Sequence, residues 1–120
     1  MTDYQLGVVE SRFADIIWEN EPISSATLCK ISEELLGWKK STTYTVLKRL
    51  CEKQIFINKN GMVSSVLSRE DFYSARSQKI IEEEFDGSLP AFLAAFTKSK
   101  KLTESEIKEL REIIENHKEG

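Results

Sequence analysis

The stretch WKKSTTYTVLKRLCEKQIFINKNG, residues 38–61, decides how this chain folds. Its middle is predicted to be a helix, because a period of about 3.6 residues separates a packing side from a polar side. The inward side is predicted to carry Thr43, Leu47, Leu50, Cys51 and Gln54. The outward side is short and hydroxylic at its start and mainly cationic further along, with Ser41, Thr42, Thr45, Lys48, Arg49 and Glu52. A helix with such a face can press its first turns against base edges while its basic residues meet phosphates.

A β-hairpin is predicted directly after this helix. Two β-branched runs, over residues 55–58 and 62–67, flank Asn60-Gly61. An Asn-Gly pair between such runs is the strongest short-range signal for a hairpin. A helix of this kind followed by a hairpin indicates a recognition helix and its wing.

Charge separates this stretch from the rest of the chain. Residues 39–59 hold six basic residues against Glu52 alone, a local balance of +5, whereas the whole chain has a net charge of −3. An ordinary amphipathic surface helix is the alternative, but its polar side would usually be rich in Glu/Lys pairs rather than hydroxyl residues. DNA binding requires a basic surface rather than a basic protein, so the pattern favours nucleic acid as the partner.

Composition limits the remaining classes of protein. A length of 120 residues fits one medium domain or a small domain with a helical appendix. No apolar run approaches the ~20 residues that span a bilayer, so membrane insertion is not expected. The first ten residues, MTDYQLGVVE, lack the features of a signal peptide, and a cytoplasmic location is expected.

Residues for catalysis or for a cofactor are not apparent. Cys29 and Cys51 are isolated, and His117 is the only histidine, so no metal site is expected. The five glycines are scattered singly and form no phosphate loop. No nucleophile, base and orienting group stand at a recognisable spacing, so the protein is not expected to be an enzyme or to hold a cofactor.

Two helices are predicted before the recognition helix. The first runs from residue 6 to residue 18 with an apolar stripe of Leu6, Val9, Phe13, Ile16 and Ile17. After Pro22, Ile23 is predicted to bridge to the hairpin, and Ser24 or Ser25 to cap a helix that ends at Gly37. The inward residues of that second helix are predicted to be Leu28, Ile31 and Leu35. The short turn to the third helix completes a helix-turn-helix.

Three short helices are predicted after the wing, with boundaries set by Ser68, by Asp86-Gly87-Ser88 and by a Thr103/Glu106 capping box. The predicted fold is therefore mainly α with a small β-hairpin wing: a winged helix-turn-helix over residues 1–70 and a helical dimerisation region over residues 71–120. About 50 residues cannot readily bury so much apolar surface alone, which favours a homodimer. The predicted dimer contacts are Leu89, Phe92, Leu93, Phe96, Ile107, Leu110 and Ile114. A tail folded back on its own head is the competing account.

The chain resembles the penicillinase repressor (BlaI/MecI) family of bacterial winged-helix regulators over nearly its whole length. ESRFADIIWEN, residues 10–20, is similar to the family's E-x-x-V-M-x-x-I-W, and residues 87–114 are similar to its G-S-x-x-x-L-x-x-x-F…L-S-x-x-E-I-x-x-L. The matches to W-S-x-x-T-V-x-T-L-L-x-R-L-x-x-K-G are Trp38, Thr42, Thr45, Leu47, Arg49, Leu50 and Lys53. The resemblance implies a dimeric repressor on a palindromic operator, inactivated when a membrane-bound sensor leads to proteolytic cutting in the C-terminal part.

Three positions depart from the family pattern. Gln54 stands where the family usually has a left-handed glycine, and Lys39 replaces the serine after the tryptophan. Ala95-Phe96 falls where penicillinase repressors are cut at an Asn-Phe pair. The related copper-responsive repressors carry a Cys-x-Cys cluster near the C-terminus, and the ending HKEG has none.

The sequence therefore predicts a cytoplasmic, homodimeric, winged-helix transcriptional repressor bound to duplex operator DNA. Thr42 and Thr45, helped by Ser41, are the predicted base readers. Arg49 and three lysines, Lys39, Lys40 and Lys48, are predicted to hold phosphates, and Lys59 with Asn60 to contact the backbone from the wing tip. The alternative is a winged helix whose basic patch docks an acidic protein partner.

Overall fold

The first half of the chain contains both helices and short strands, and the described part of the second half contains helices as its only regular elements. The computed structural model describes residues 5–117. Its elements, in order, are α1 Val8–Asn20, β1 Ile23–Ser24, α2 Ser25–Leu36, α3 Lys40–Glu52, β2 Phe56–Lys59, β3 Met62–Ser65, α4 Arg69–Phe85, α5 Leu89–Thr97 and α6 Glu104–His117. The chain divides into two units, Met1–Lys79 and Ile80–Gly120, and the division falls inside α4. The sequence-based boundary at residue 70 falls at the start of the same helix and stays a prediction.

The first unit has the predicted winged-helix architecture. A three-stranded antiparallel sheet has the order β1-β3-β2, and the predicted bridge at Ile23 is confirmed by its pairing with Val63. Asn60 and Gly61 form the hairpin turn with φ angles of 52° and 86°. Positive φ at both central residues matches the right-handed twist of the strands, which is why Asn-Gly is favoured there.

The wing strands are shorter or shifted relative to the prediction. β2 begins at Phe56 because the N–H of Ile55 still bonds back to the carbonyl of Leu50 in α3. The carbonyl of Ile55 accepts from the N–H groups of both Val66 and Leu67. This doubled contact ends the regular ladder, so β3 stops at Ser65.

The core of the first unit lies between α1, α2, α3 and the sheet. Its largest fully buried side chains are Phe13, Phe56, Phe72, Ile17, Leu28, Leu47, Leu50, Ile55 and Val63. Two predicted core positions are wrong, because Val9 is 47% exposed and Leu35 is 58% exposed. Leu6 is buried before α1 begins, and Leu36 rather than its neighbour Leu35 packs against the core.

Trp18 joins three elements of the first unit. Its indole N–H donates to the carbonyl of Leu67 at 2.9 Å. Its ring lies 5.2 Å from the ring of Phe56 in β2 and 5.5 Å from that of Phe72 in α4. The guanidinium of Arg69 lies 5.8 Å from the same ring. The start of α4 is therefore fastened to α1 and the wing by aromatic packing, a hydrogen bond and a cation–π contact.

Gln54 ends α3 in the left-handed conformation, with a φ of 65°. The N–H of Gln54 donates to the carbonyl of Cys51, and the N–H of Ile55 donates to that of Leu50. These are the two bonds of a Schellman motif, in which glycine is the usual left-handed residue. The helix therefore ends at the position where the family pattern has glycine. The Cβ of Gln54 makes this left-handed backbone strained.

Replacing Gln54 by glycine is expected to raise the free energy of unfolding by about 0.5–1 kcal/mol, because the Cβ strain is relieved. Chemical denaturation followed by circular dichroism measures the change. Gln54→Ala is the matched control, since alanine loses the polar side chain but keeps the Cβ. Equal stabilities of the glycine and alanine variants would show that the backbone carries no strain there.

The second unit has little interior of its own. None of the described residues of α5 or α6 is buried. Phe92 makes ring contacts with Phe85 at 5.4 Å and with Phe96 at 6.1 Å, but Phe96 stays 43% exposed. Ile113 and Ile114 of α6 are 64% and 54% exposed. The second unit of a single chain therefore presents an apolar surface to solvent.

Side chains define the helix starts of the C-terminal half as predicted. Ser68 accepts from the N–H of Asp71, and Ser88 accepts from the N–H of Ala91. Glu106 accepts from the N–H of Thr103, whose hydroxyl accepts from the N–H of Glu106. The hydrogen bonds from Thr103 hold the pKa of Glu106 below its usual range.

None of the helices formed by residues 5–117 is long and apolar enough to cross a membrane. In the same part of the chain, no three His, Cys, Asp or Glu side chains come together as a metal site would require.

Candidate nucleic-acid interface

The two sides of α3 differ as the sequence indicates. Thr43, Leu47 and Leu50 are buried as predicted, Cys51 is half-buried and Gln54 is exposed. Val46, which the sequence analysis did not assign, is also buried. The exposed positions of the helix are Lys40, Ser41, Thr42, Tyr44, Thr45, Lys48, Arg49 and Glu52. The polar side of the helix is therefore open to a partner along its whole length.

Helical geometry orders these exposed residues. Ser41, Thr45, Lys48 and Glu52 recur at spacings of four, three and four residues and form the middle of the face. By the same spacing Thr42 and Arg49 flank this line on the side toward α1, and Tyr44 flanks it on the side toward the wing. The hydroxyl residues thus occupy the N-terminal half of this face, Lys48 and Arg49 lie in its C-terminal half, and Lys39 and Lys40 lie at the helix start.

The hydroxyl of Thr45 donates to the carbonyl of Ser41 at 2.9 Å. This bond uses its only proton, so the oxygen faces a partner as an acceptor and the methyl group as an apolar contact. Both suit the major groove, where amino groups donate and the thymine methyl is apolar. Thr45 is therefore equipped to read a base edge without further rearrangement.

The N-terminus of α3 is open. Lys39 occupies the N-cap without a side-chain cap, and the first turn contains no acidic residue. Uncapped backbone N–H groups at a helix start carry a partial positive charge and bind phosphate oxygens. Lys39 and Lys40 add two full charges at this end of the helix, so it is suited to an anion.

The six cations of the basic patch, which are the Lys and Arg residues within residues 39–59, fall into two groups. Arg49 pairs with Glu10, with 3.2 Å between its Nη1 and the Oε2 of the carboxylate. The ammonium group of Lys53 donates to the carbonyl of Gln5 at 2.8 Å. Within residues 5–117, no ion pair or hydrogen bond engages the side chains of the other four, Lys39, Lys40, Lys48 and Lys59. Four of the cations are thus available to a polyanion without breaking a contact.

The wing tip is held close to α2. The side chain of Asn58 accepts from the N–H of Gly61 at 3.0 Å, and the N–H of Ser25 donates to the carbonyl of Gly61 at 2.7 Å. Lys59 and Asn60 are exposed beside these fixed points. The position of the tip is therefore set by the fold, and its two predicted contact residues face solvent.

Tyr44 is a residue of this surface that the sequence analysis missed. Its hydroxyl lies 3.1 Å from that of Ser25, and it is 37% exposed. It also lines a groove of about 660 Å³ between α3 and β2, together with Lys48 and Ile57. The outward position of Tyr44 on the predicted helix was the available signal.

Cys51 lies deeper in the same groove. Burial raises the pKa of its thiol above the usual range, and a hydrogen bond with the backbone of Asn58 acts in the opposite direction. A thiol in this setting is protonated at neutral pH and packs as a small apolar group.

Comparison with known proteins shows which family the sequence matches. A sequence model of the family described as penicillinase repressor matches residues 6–116. A penicillinase repressor of Bacillus licheniformis is 25% identical over 118 residues, covering 95% of this chain and 92% of that protein. The methicillin resistance regulatory protein MecI of Staphylococcus aureus (strain Mu50) is 24% identical over 115 residues, covering 92% of this chain and 94% of that protein. The matches extend over both units.

Proposed function

Since this chain belongs to the penicillinase repressor family, we propose that it is a transcriptional repressor that binds a palindromic operator as a homodimer. In this proposal α3 enters the major groove of each half-site and the wing tip contacts the adjacent backbone. The predicted cytoplasmic location follows from that role. The relatives in Bacillus licheniformis and Staphylococcus aureus are named as a repressor and a regulatory protein, which agrees with a regulator rather than an enzyme.

The exposed face of α3 is the observation that carries the proposal. Its N-terminal half offers the hydroxyl groups of Ser41, Thr42 and Thr45, whose size and polarity suit base edges. Lys48 and the lysines at the helix start have no intramolecular partner in the described part of the chain and suit phosphates. Arg49 is assigned to a phosphate as well, through the donors that Glu10 leaves unused.

The second unit supports the dimer. Its helices leave Leu89, Phe96, Ile113 and Ile114 largely exposed, although each is a large apolar side chain. A groove of about 260 Å³ lined by Phe92, Leu93, Leu110 and neighbouring residues runs between α5 and α6. Pairing two such units would bury this surface and place two α3 helices on two half-sites.

The inactivating signal is proposed to be a membrane-bound sensor that leads to proteolysis, as the family resemblance implies. Ala95-Phe96, at the corresponding position, lies inside α5 with both residues exposed. Proteases bind extended chain, so cleavage there would require α5 to open locally first. Incubation with an active sensor protease, followed by mass spectrometry, tests whether the chain is cut at this bond.

Selection of duplex DNA from a random library, followed by a salt titration on the enriched sequence, tests the proposal. A palindrome should be enriched, and log affinity should fall linearly with log salt because phosphate contacts release counterions. Two results would favour the alternative in which α3 docks an acidic protein partner. They are failure to enrich any duplex and an affinity for duplex DNA that does not fall with salt.

Thr45→Ala is expected to relax discrimination at one base pair of each half-site, at a cost of ~1–3 kcal/mol for the preferred base. Non-specific affinity should change little, because no phosphate contact is lost. Competition binding with every base at each operator position measures the change. Ser77→Ala is the control, since Ser77 in α4 makes a similar hydroxyl-to-carbonyl bond, to Ser74. Full base preference in the Thr45 variant would mean that α3 docks in another register.

A further inference from the structure

We propose that Glu10 is a positioning residue that sets how strictly the protein discriminates between its operator and other DNA. It would do so by orienting the guanidinium of Arg49 toward one phosphate and by repelling DNA bound in any other register. The inference rests on the proposed function, and it concerns a residue of α1 rather than of the recognition helix.

Glu10 is anchored on both sides of its carboxylate. One oxygen, Oε1, accepts from the N–H of Gly7 at 3.3 Å at the start of α1. The other oxygen, Oε2, accepts from Nη1 of Arg49 at 3.2 Å. The Glu10 side chain is 21% exposed and that of Arg49 is 52% exposed. The carboxylate is thus held by the fold, while the guanidinium that it contacts stays open to a ligand.

The chemistry of arginine lets both partners bind at once. A guanidinium carries five N–H donors in a planar fork, and Glu10 engages only one of its nitrogens. The remaining donors point away in the same plane, where a phosphate can accept them. A bond on one edge of the plane fixes the direction of the other edge, which reduces the freedom of a long side chain. Exposed ion pairs contribute little to stability, so presenting the arginine is a better account of this pair than strengthening the fold.

The N-terminal segment also contacts a second cation, Lys53. Lys53 lies one turn beyond Arg49 on the same edge of α3, and its ammonium group donates to the carbonyl of Gln5. Residues 5–10 therefore contact two of the six cations of the patch, both on the edge toward α1. The lysines on the rest of the surface have no such contact in the described residues. Control by the N-terminal segment is confined to this edge.

Loss of the Glu10 charge should act in opposite directions on the two modes of binding. Operator binding uses Arg49 in one orientation, so freeing the side chain weakens it. Non-specific binding needs only positive charge near phosphates, so removing a nearby carboxylate strengthens it. Both effects lower the ratio of operator affinity to non-specific affinity.

The test compares Glu10→Gln with Glu19→Gln in the full-length chain. Glutamine at position 10 can still accept from the N–H of Gly7, so α1 should keep its start. Glu19 lies on the same helix and pairs at 3.4 Å with Arg69, which is not part of α3. Both variants remove one negative charge from α1, but only the first releases Arg49. The probes are the duplex that the wild-type chain enriches from a random library and a scrambled duplex of the same composition.

The affinity ratio for Glu10→Gln is expected to fall about tenfold, the scale of one lost specific contact, and that for Glu19→Gln to stay at the wild-type value. An unfolding effect would lower both affinities together and leave the ratio unchanged. In the Arg49→Ala background, the Glu10 change should lower the ratio much less, because only the repulsion between the carboxylate and DNA is then lost. An unchanged ratio in Glu10→Gln, an equal fall in Glu19→Gln, or a full Glu10 effect without Arg49 would each overturn the inference. Absence of salt-dependent duplex binding by the wild-type chain would instead overturn the proposed function itself.

Discussion

Phe72→Ala is expected to lower the free energy of unfolding of the first unit by about 3–5 kcal/mol. The Phe72 side chain is fully buried, and its ring lies 5.5 Å from that of Trp18 and 5.1 Å from that of Tyr73. Removing it leaves a cavity where the first turn of α4 meets α1. Denaturant unfolding followed by far-ultraviolet circular dichroism measures the loss.

Tyr73→Ala is the matched control for this prediction. Tyr73 follows Phe72 in the same turn and also lies near Trp18, at 6.3 Å, but it is 41% exposed. Because part of its ring is already in water, its removal should cost clearly less than that of Phe72. Similar losses for the two variants would mean that α4 is held by surface contacts rather than by the buried ring.

The elements of this fold could be predicted because local rules determine them. Asn60-Gly61 defines the hairpin, Gly37 ends α2 with a φ of 69°, and Thr103 with Glu106 starts α6. Each of these signals acts through the backbone of its own few residues. The confirmed winged-helix fold follows from placing such elements in order.

Predictions from the sequence were wrong where packing between distant segments determines which residue is buried or where a strand begins. Periodicity assigns Leu35 to the inside of α2, but the neighbouring Leu36 packs against the core instead. The strand β2 starts at Phe56 because the backbone of Ile55 is still engaged by α3. A single sequence shows the spacing of apolar residues but not which of two adjacent ones the rest of the chain covers.

The candidate interface likewise combines features that local sequence determines with a contact that it does not. Exposure of Thr42, Thr45 and Lys48 follows from the helical period and is found in the structure, while their contacts with DNA stay a prediction. The contact between Arg49 and Glu10 joins residues 39 positions apart, and no local pattern indicates it. Tertiary structure therefore brings a residue of α1 into contact with the candidate site, which the sequence predicts on α3 and the wing alone.

Phe92→Ala combined with Phe96→Ala is expected to make the protein largely monomeric and to weaken operator binding severely. Burial of each phenylalanine contributes ~1.5–3 kcal/mol, and a symmetric dimer would lose the pair from both protomers. A loss of several kcal/mol raises the dissociation constant of the dimer by a factor of at least about a hundred. Two DNA-binding units joined by one dimer reinforce each other on a palindrome, and this advantage disappears in the monomer. Sedimentation velocity at micromolar concentration and operator titration measure the two effects.

A second variant separates the interface from the packing inside one chain. Phe92 contacts Phe85 and Phe96 within its own unit, so its loss could also loosen the helices. Ile113 is 64% exposed, and Ile113→Glu should leave the single chain folded while placing a charge in the proposed interface. Leu35→Ala removes an exposed apolar side chain from the first unit and should leave the dimer intact. A stable dimer that still binds the operator in both the double phenylalanine variant and Ile113→Glu would move the interface elsewhere. The apolar surface of α5 and α6 would then need another partner.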